Sequence, residues 1–198
     1  HMCYDYVYAD IFHVLRFLEN HDTDRFLKEM PTSLNAFKQA VTFLLTIPGI
    51  PQLYYGQELL MNGTKSKSDG YVRRDVPGGW PGDKANWFEA SGRSDIQNEA
   101  WTFMQKILKW RQGNEVISKG SMKHFMLNQG VYVYQRSYNG KSVLVVMNGS
   151  SKNVVLPLDR YAEVLQGKAS GMDVISGKSV VLDKELKLSP KEILLLEM

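Results

Sequence analysis

The hydrophobic and polar positions change rhythm once along the chain. Up to about residue 113, short apolar runs alternate with stretches of helical period; after that, every periodic segment reads as strand. Residues 13–18 (HVLRFL) are apolar-rich and run into a polar cluster, the pattern of a buried strand leading into a loop. Pro31 and Thr32 then signal a helix start. Leu34, Phe37, Ala40, Val41, Leu44 and Leu45 follow at helical spacing and predict one apolar stripe, stopped by Pro48-Gly49. Residues 50–55 predict a second short strand closed by Gly56, so the segment is a strand–helix–strand unit of the parallel-sheet kind. Residues 57–93 carry no period and hold Trp80, Trp87 and Phe88 among Gly, Pro, Asn and Asp. A stretch of this length without structure of its own counts against the assignment unless the loop is functional. Ser94-Asp95-Ile96-Gln97 has the form of a capping box and opens a helix predicted to bury Trp101, Met104, Ile107 and Leu108, ended by Gly113.

In the second half, apolar runs at 131–138 and 142–147 flank Asn139-Gly140, a strong hairpin signal. Residues 154–158, 162–165, 172–175, 185–188 and 193–196 predict further short strands separated by turn residues. Together these predict an antiparallel β-sandwich. The fold class is thus α/β followed by all-β, with residues 1–113 as one unit and residues 114–198 as a second that folds by itself.

Composition narrows the options. Of 198 residues 43% are hydrophobic and 23% charged, which excludes long disorder. A net charge of +3 with no basic stripe argues against a nucleic-acid partner. The apolar runs fall far short of the roughly 20 residues of a membrane span. Cys3 is the single cysteine, so no internal disulfide framework or cysteine-rich zinc site is expected. His1-Met2 reads as a cloning remnant that removes any native leader, and a periplasmic or a cytoplasmic home fits equally well.

The densest reactive cluster is residues 19–25 (ENHDTDR), just beyond the carboxyl end of a predicted parallel strand, where α/β folds build their active sites. A carboxylate there, beside an imidazole and a guanidinium, can stabilise developing positive charge or orient a hydroxyl-rich ligand. The competing reading is a hydrated strand-to-helix turn. A metal site built from His13, His21 and Asp22 lacks any supporting ligand spacing.

Phe17-Leu18-Glu19-Asn20-His21-Asp22 resembles the F-x-x-N-H-D element of the α-amylase family of glycoside hydrolases. Gly49-Ile50-Pro51-Gln52-Leu53-Tyr54-Tyr55-Gly56-Gln57-Glu58 resembles the G-x-P-x-x-Y-Y-G-x-E segment that follows about thirty residues later in that family. The long loop and Asp24-Arg25 look nearest to the neopullulanase or cyclomaltodextrinase branch. The resemblance implies the last strand–helix units of a (β/α)₈ TIM barrel followed by a C-terminal β-sandwich. It implies that Asp22 is the carboxylate that stabilises the transition state and that His21 binds sugar hydroxyls where the bond is cut. Asn20 and Arg25 become supporting, loop-ordering residues, with plain turn structure as the other reading. Tyr55 packs the barrel end rather than touching sugar. Arg73, Arg74 and Asp75 lie where relatives place distal sugar contacts. Trp80, Trp87 and Phe88 could stack on glucosyl rings or pack the loop. Gln57 departs from the acidic residue of several relatives.

A larger departure is an absence. Retaining glycosidases need two carboxyl groups about 5–5.5 Å apart, and in this family the nucleophile and acid/base lie on earlier strands. Nothing in residues 1–16 resembles either, and Asp10, Glu58, Asp69 and Asp83 match no catalytic element. The chain is therefore expected to be a fragment, inactive alone and prone to self-association through uncovered strands, of an enzyme acting on α-glucan. That chemistry needs no cofactor; calcium is common in the family, with ligands expected mainly outside this chain. The competing function class is a non-catalytic glucan-binding or structural module.

Overall fold

A computed structural model describes residues 2–198, with side chains from residue 5 onward; the cloning-remnant reading of His1 and the side chain of Cys3 lie outside the described residues. Strand β1 (Leu15–Phe17) and strand β2 (Ile50–Gln52) pair in parallel, with Leu15 opposite Ile50, on either side of helix α1 (Asn35–Thr46). Both strands are shorter than their apolar runs. Gly49 makes the sharp entry to β2 possible. Its φ is +122°, and a Cβ there would sit 2.6 Å from the Val14 carbonyl oxygen. The α1 stripe is buried as patterned, through Leu34, Phe37, Val41, Leu44 and Leu45.

Residues 57–93 are mostly irregular, with one short α-helix, α2 (Asp69–Val72), and single 3-10 turns at Gln57–Leu59 and Ala90–Gly92. Helix α3 (Asp95–Arg111) opens on the capping box formed by Ser94 and Gln97. Its core face is Ala100, Phe103, Met104 and Ile107, so the expected stripe is rotated: Trp101 is half-buried and Leu108 is exposed. A further short helix, α4 (Glu115–Lys119), stands where only strands were expected.

The remaining elements are β3 (Ser121–His124), β4 (Val131–Tyr138), β5 (Lys141–Asn148), β6 (Val154–Pro157), helix α5 (Ala162–Leu165), β7 (Ser170–Asp173), β8 (Ser179–Val181), β9 (Glu185–Leu188) and β10 (Ile193–Glu197). The β4–β5 hairpin turns on Asn139 (φ +49°) and Gly140 (φ +75°), both in the left-handed region that such a two-residue loop requires. The expected strand at 162–165 is instead helix α5, which buries Val164 and Leu165.

The sandwich is unequal. One sheet has six strands in the order β3-β4-β5-β10-β7-β8, and the other is the β6–β9 pair. Alternate side chains of the large sheet serve two different cores. Val131, Val133, Leu144, Val146, Leu194 and Leu196 pack with Leu156, Leu186 and Leu188 of the small sheet. Val143, Val145, Met147, Ile193 and Leu195 point the other way, into one cluster with Phe37, Leu45, Met104 and Ile107 of α1 and α3. Strand β5 is consequently a continuous apolar run rather than an alternating one.

Polar bonds stitch the same junction. The buried Arg136 guanidinium on β4 donates to the carbonyl oxygens of Thr46, Ile117 and Gly120. Burial lowers its pKa to about 10. Arg111 donates to the Leu45 carbonyl at 2.9 Å, so two arginines cap the last turn of α1. The expectation that residues 114–198 stand alone therefore meets a core shared across the boundary. A 114–198 truncation should unfold at a clearly lower temperature than the whole chain and associate, because it bares Val145, Ile193 and Leu195. Calorimetry and light scattering on the two proteins check this; an equally stable, monomeric truncation would contradict it.

Candidate active site

The loop that follows β1 turns back on itself through its own polar side chains. Asn20 Oδ1 accepts from the Asp22 backbone N–H at 2.8 Å, and Thr23 Oγ1 accepts from the Asn20 N–H at 3.0 Å. Asn20 thus shapes the turn through its own side chain. Beneath the loop lies a buried ion pair. Arg25 Nη1 bonds Glu19 Oε1 at 3.0 Å, with the side chains 1% and 2% exposed. Glu19 also accepts the Phe26 backbone N–H. Arg25 reaches outward as well, donating to the carbonyls of Tyr55 at 2.7 Å and Val72 at 2.9 Å. Its guanidinium lies 4.1 Å from the centroid of Tyr54 and 4.9 Å from that of Tyr55. One buried cation therefore ties the β1 loop to the end of β2 and to the loop around α2. Burial pushes the Glu19 carboxyl above the usual glutamate range, although the Phe26 N–H and Arg25 pull it down.

Above this clamp, Asp22 and His21 are exposed, at 67% and 64% of their side chains, with His21 Nε2 3.2 Å from Asp22 Oδ2. Arg73 arches over them. Its Nε donates to the His21 carbonyl at 2.9 Å, and its Nη2 stands 3.5 Å from Asp22 Oδ1 and 3.0 Å from Asp69 Oδ2. Lys65 donates to the Asp22 carbonyl at 3.1 Å and pairs with Asp69 at 3.1 Å. The Lys65 side chain, then the Arg73 charge, hold the Asp69 carboxyl below the usual aspartate range. Asp24 is lowered too, chiefly by accepting the Lys65 backbone N–H.

The other expected contacts fall around this cluster. Arg74 lies over the Tyr71 ring, 4.6 Å from its centroid, and bonds Asn62. Its carbonyl accepts the hydroxyl of the exposed Tyr55 at 3.1 Å, which ties the residues after β2 to the segment after α2. Asp75 is exposed, and its charge adds to the burial that raises the Tyr55 phenol. Trp80 is 65% exposed on a turn held by Asp83, which accepts the N–H groups of Gly78 and Trp80. Phe88 is exposed and Trp87 half-buried. Gln57 is buried at the turn after Gly56. His13 bonds Asp10, and the grouping of His13, His21 and Asp22 is not formed. Glu19, Lys65 and Asp69 carry structure that no pattern assigned. Glu19 and Arg25 stand six residues apart, a spacing with no periodic meaning, and Lys65 and Asp69 sit in the aperiodic stretch.

Residues 5–111 match the family described as Alpha amylase, catalytic domain, which is more than half of the chain. The chain belongs to the alpha-amylase family. Residues 122–197 of this alpha-amylase family chain match the Cyclo-malto-dextrinase C-terminal domain. It is 32% identical over 171 residues to the cyclomaltodextrinase of Thermoanaerobacter pseudethanolicus, covering 86% of this chain and 25% of that one. Identity to a cyclomaltodextrin glucanotransferase of Bacillus sp. is 30% over 174 residues, covering 83% and 21%. The fold superposes on the alpha-amylase of Geobacillus thermoleovorans, solved with acarbose, with a TM-score of 0.72 and 26% identity over 94% of this chain and 39% of that chain. The chain spans only about a fifth to a quarter of the two curated relatives. Its architecture joins part of an alpha-amylase catalytic barrel to the family's mostly antiparallel C-terminal domain.

Proposed function

We propose that this chain is the C-terminal part of a longer retaining α-glucan hydrolase of the neopullulanase or cyclomaltodextrinase type. In this reading Asp22 stabilises the transition state and His21 hydrogen-bonds sugar hydroxyls. The supporting observation is the pairing of exposed Asp22 and His21 on a loop pinned from below by the buried Glu19–Arg25 clamp. Hydrolysis with retention passes through a transition state resembling an oxocarbenium ion. A fixed carboxylate placed against that developing charge lowers the barrier, because the attraction is far greater in the transition state than with the neutral sugar. Arg73, touching Asp22, Asp69 and the His21 carbonyl, orients that carboxylate. Arg74, Asp75 and Trp80 line the more distant approach. The nucleophile and acid/base come from residues beyond these 198, and the chemistry runs through carboxylates without a cofactor.

Two consequences are measured on one sample. The purified 198-residue chain should release no reducing sugar from maltoheptaose, pullulan or cyclodextrin above a blank, whereas the longer protein should. Light scattering should show concentration-dependent association, since Leu15, Phe17 and Ile50 lie on one bare face of β1 and β2. Turnover by the chain alone overturns the division of catalytic groups. A longer reading frame without a nucleophile and an acid/base would favour a glucan-binding module instead.

A further inference from the structure

A groove of about 720 Å³ opens where the end of α3, the start of α4, the β4–β5 turn and the end of β10 meet. None of its lining residues belongs to the Asp22 loop or to the segment around Arg73. Its walls combine two aromatic rings, Trp110 and Tyr138, with Asn114, Asn139, Lys141 and Glu197. Both rings are half-buried against the shared core, which fixes them and leaves part of each accessible. Trp110 is further held by its indole Nε1, which donates to Glu197 Oε1 at 2.7 Å. A pre-set aromatic surface loses little freedom when a ligand lands on it.

The charges in the groove argue against an ionic ligand. Glu115, also in the lining, is paired with Lys119 at 2.6 Å, whose ammonium lies 5.9 Å from the Tyr138 ring centroid. Glu197 keeps its charge while accepting the Trp110 indole N–H, and Lys141 sets the opposite charge at the rim, so neither sign dominates the walls. Amide groups supply both donors and acceptors at one site. Flat apolar rings beside neutral donors and acceptors suit a molecule with apolar C–H faces and a girdle of hydroxyls, which is an oligosaccharide. We propose that this groove is a second, non-catalytic site for a neutral oligosaccharide, with Trp110 and Tyr138 as stacking surfaces and Asn114, Asn139 and Lys141 as hydroxyl partners. The choice of an α-linked glucan among oligosaccharides rests on the proposed activity.

The test titrates the 198-residue chain with maltoheptaose and follows backbone amide and tryptophan indole signals by NMR. Saturable shifts are expected at Trp110, Tyr138 and Asn139. Trp110→Ala and Tyr138→Ala should each weaken binding about tenfold. Tyr138→Ala leaves the Trp110–Glu197 bond in place, so it remains informative if the tryptophan variant misfolds. Absence of saturable shifts at millimolar sugar, shifts confined to the Asp22 loop, or unchanged affinity in both variants overturns the inference. A silent groove in a chain whose longer form cleaves α-glucan sinks this site and leaves the activity standing. Groove binding beside an inactive longer form does the reverse.

Discussion

Arg25→Met should destabilise the chain by about 3–5 kcal/mol, because removing one member of a buried ion pair strands the other. Glu19 would keep the Phe26 N–H and lose its cationic partner at a site 2% exposed. The loop would also lose its bonds to the Tyr55 and Val72 carbonyls and the stack against Tyr54. The loss should depend on pH in a definite direction. Burial already raises the folded pKa of Glu19, while Arg25 pulls it down. A raised folded pKa gives stability that is full below the unfolded value and lost as pH rises through the folded one. Removing Arg25 raises the folded value further, so the variant suffers most at neutral and alkaline pH. Urea midpoints of the two proteins should lie far apart at about pH 8 and approach each other towards about pH 5. A gap that stays constant across that range would mean Glu19 carries no stranded charge.

The clamp shows where the sequence was legible and where it was not. The loop after β1 could be located because its polar run follows a short apolar strand and because its residue order matches a known element. That position says nothing of what lies beneath. The resemblance gives Arg25 a supporting role in the loop, with plain turn structure as the other reading, but names no partners, and Glu19, Tyr55 and Val72 come from three separate segments. Long-range polar convergence of this kind leaves no period to detect. Arg73 shows the same limit: it stands among expected sugar contacts, while its guanidinium lies against Asp22 and Asp69.

Regular elements were legible in proportion to their length and burial. The α1 stripe and the hairpin around Asn139-Gly140 follow directly from spacing and turn chemistry. Residues 162–165 do not, because four residues cannot distinguish a period of 2 from one of 3.6, and the buried Val164 and Leu165 fit either. Strands β3 and β8 were missed because they lie at the two edges of the large sheet, and none of their residues is fully buried. The bare face of Leu15, Phe17 and Ile50 marks the opposite case, an apolar pattern whose covering partners are not among residues 2–198.

Asp22→Asn in the longer protein should cut kcat by about 10²–10³-fold or more while changing KM only a few-fold. Asparagine keeps the shape and removes the charge, so the variant loses what matters when the sugar becomes cationic and retains most of what binds it neutral. The same substitution in the 198-residue chain should move stability by no more than about 0.5 kcal/mol, as expected of a surface position. Its side chain is 67% exposed, and the bond that shapes the turn is made by its backbone N–H to Asn20, which asparagine preserves. The role proposed for Asp22 and the structural role of the clamp thus separate on two axes. Arg25→Met should lower stability and, by loosening the loop, activity as well; Asp22→Asn should lower activity alone. Steady-state kinetics with maltoheptaose or cyclodextrin, run beside urea unfolding, reads both. Turnover near that of the parent in the Asp22→Asn enzyme would make Asp22 a turn residue, and the charge facing the reacting sugar would have to come from another carboxylate.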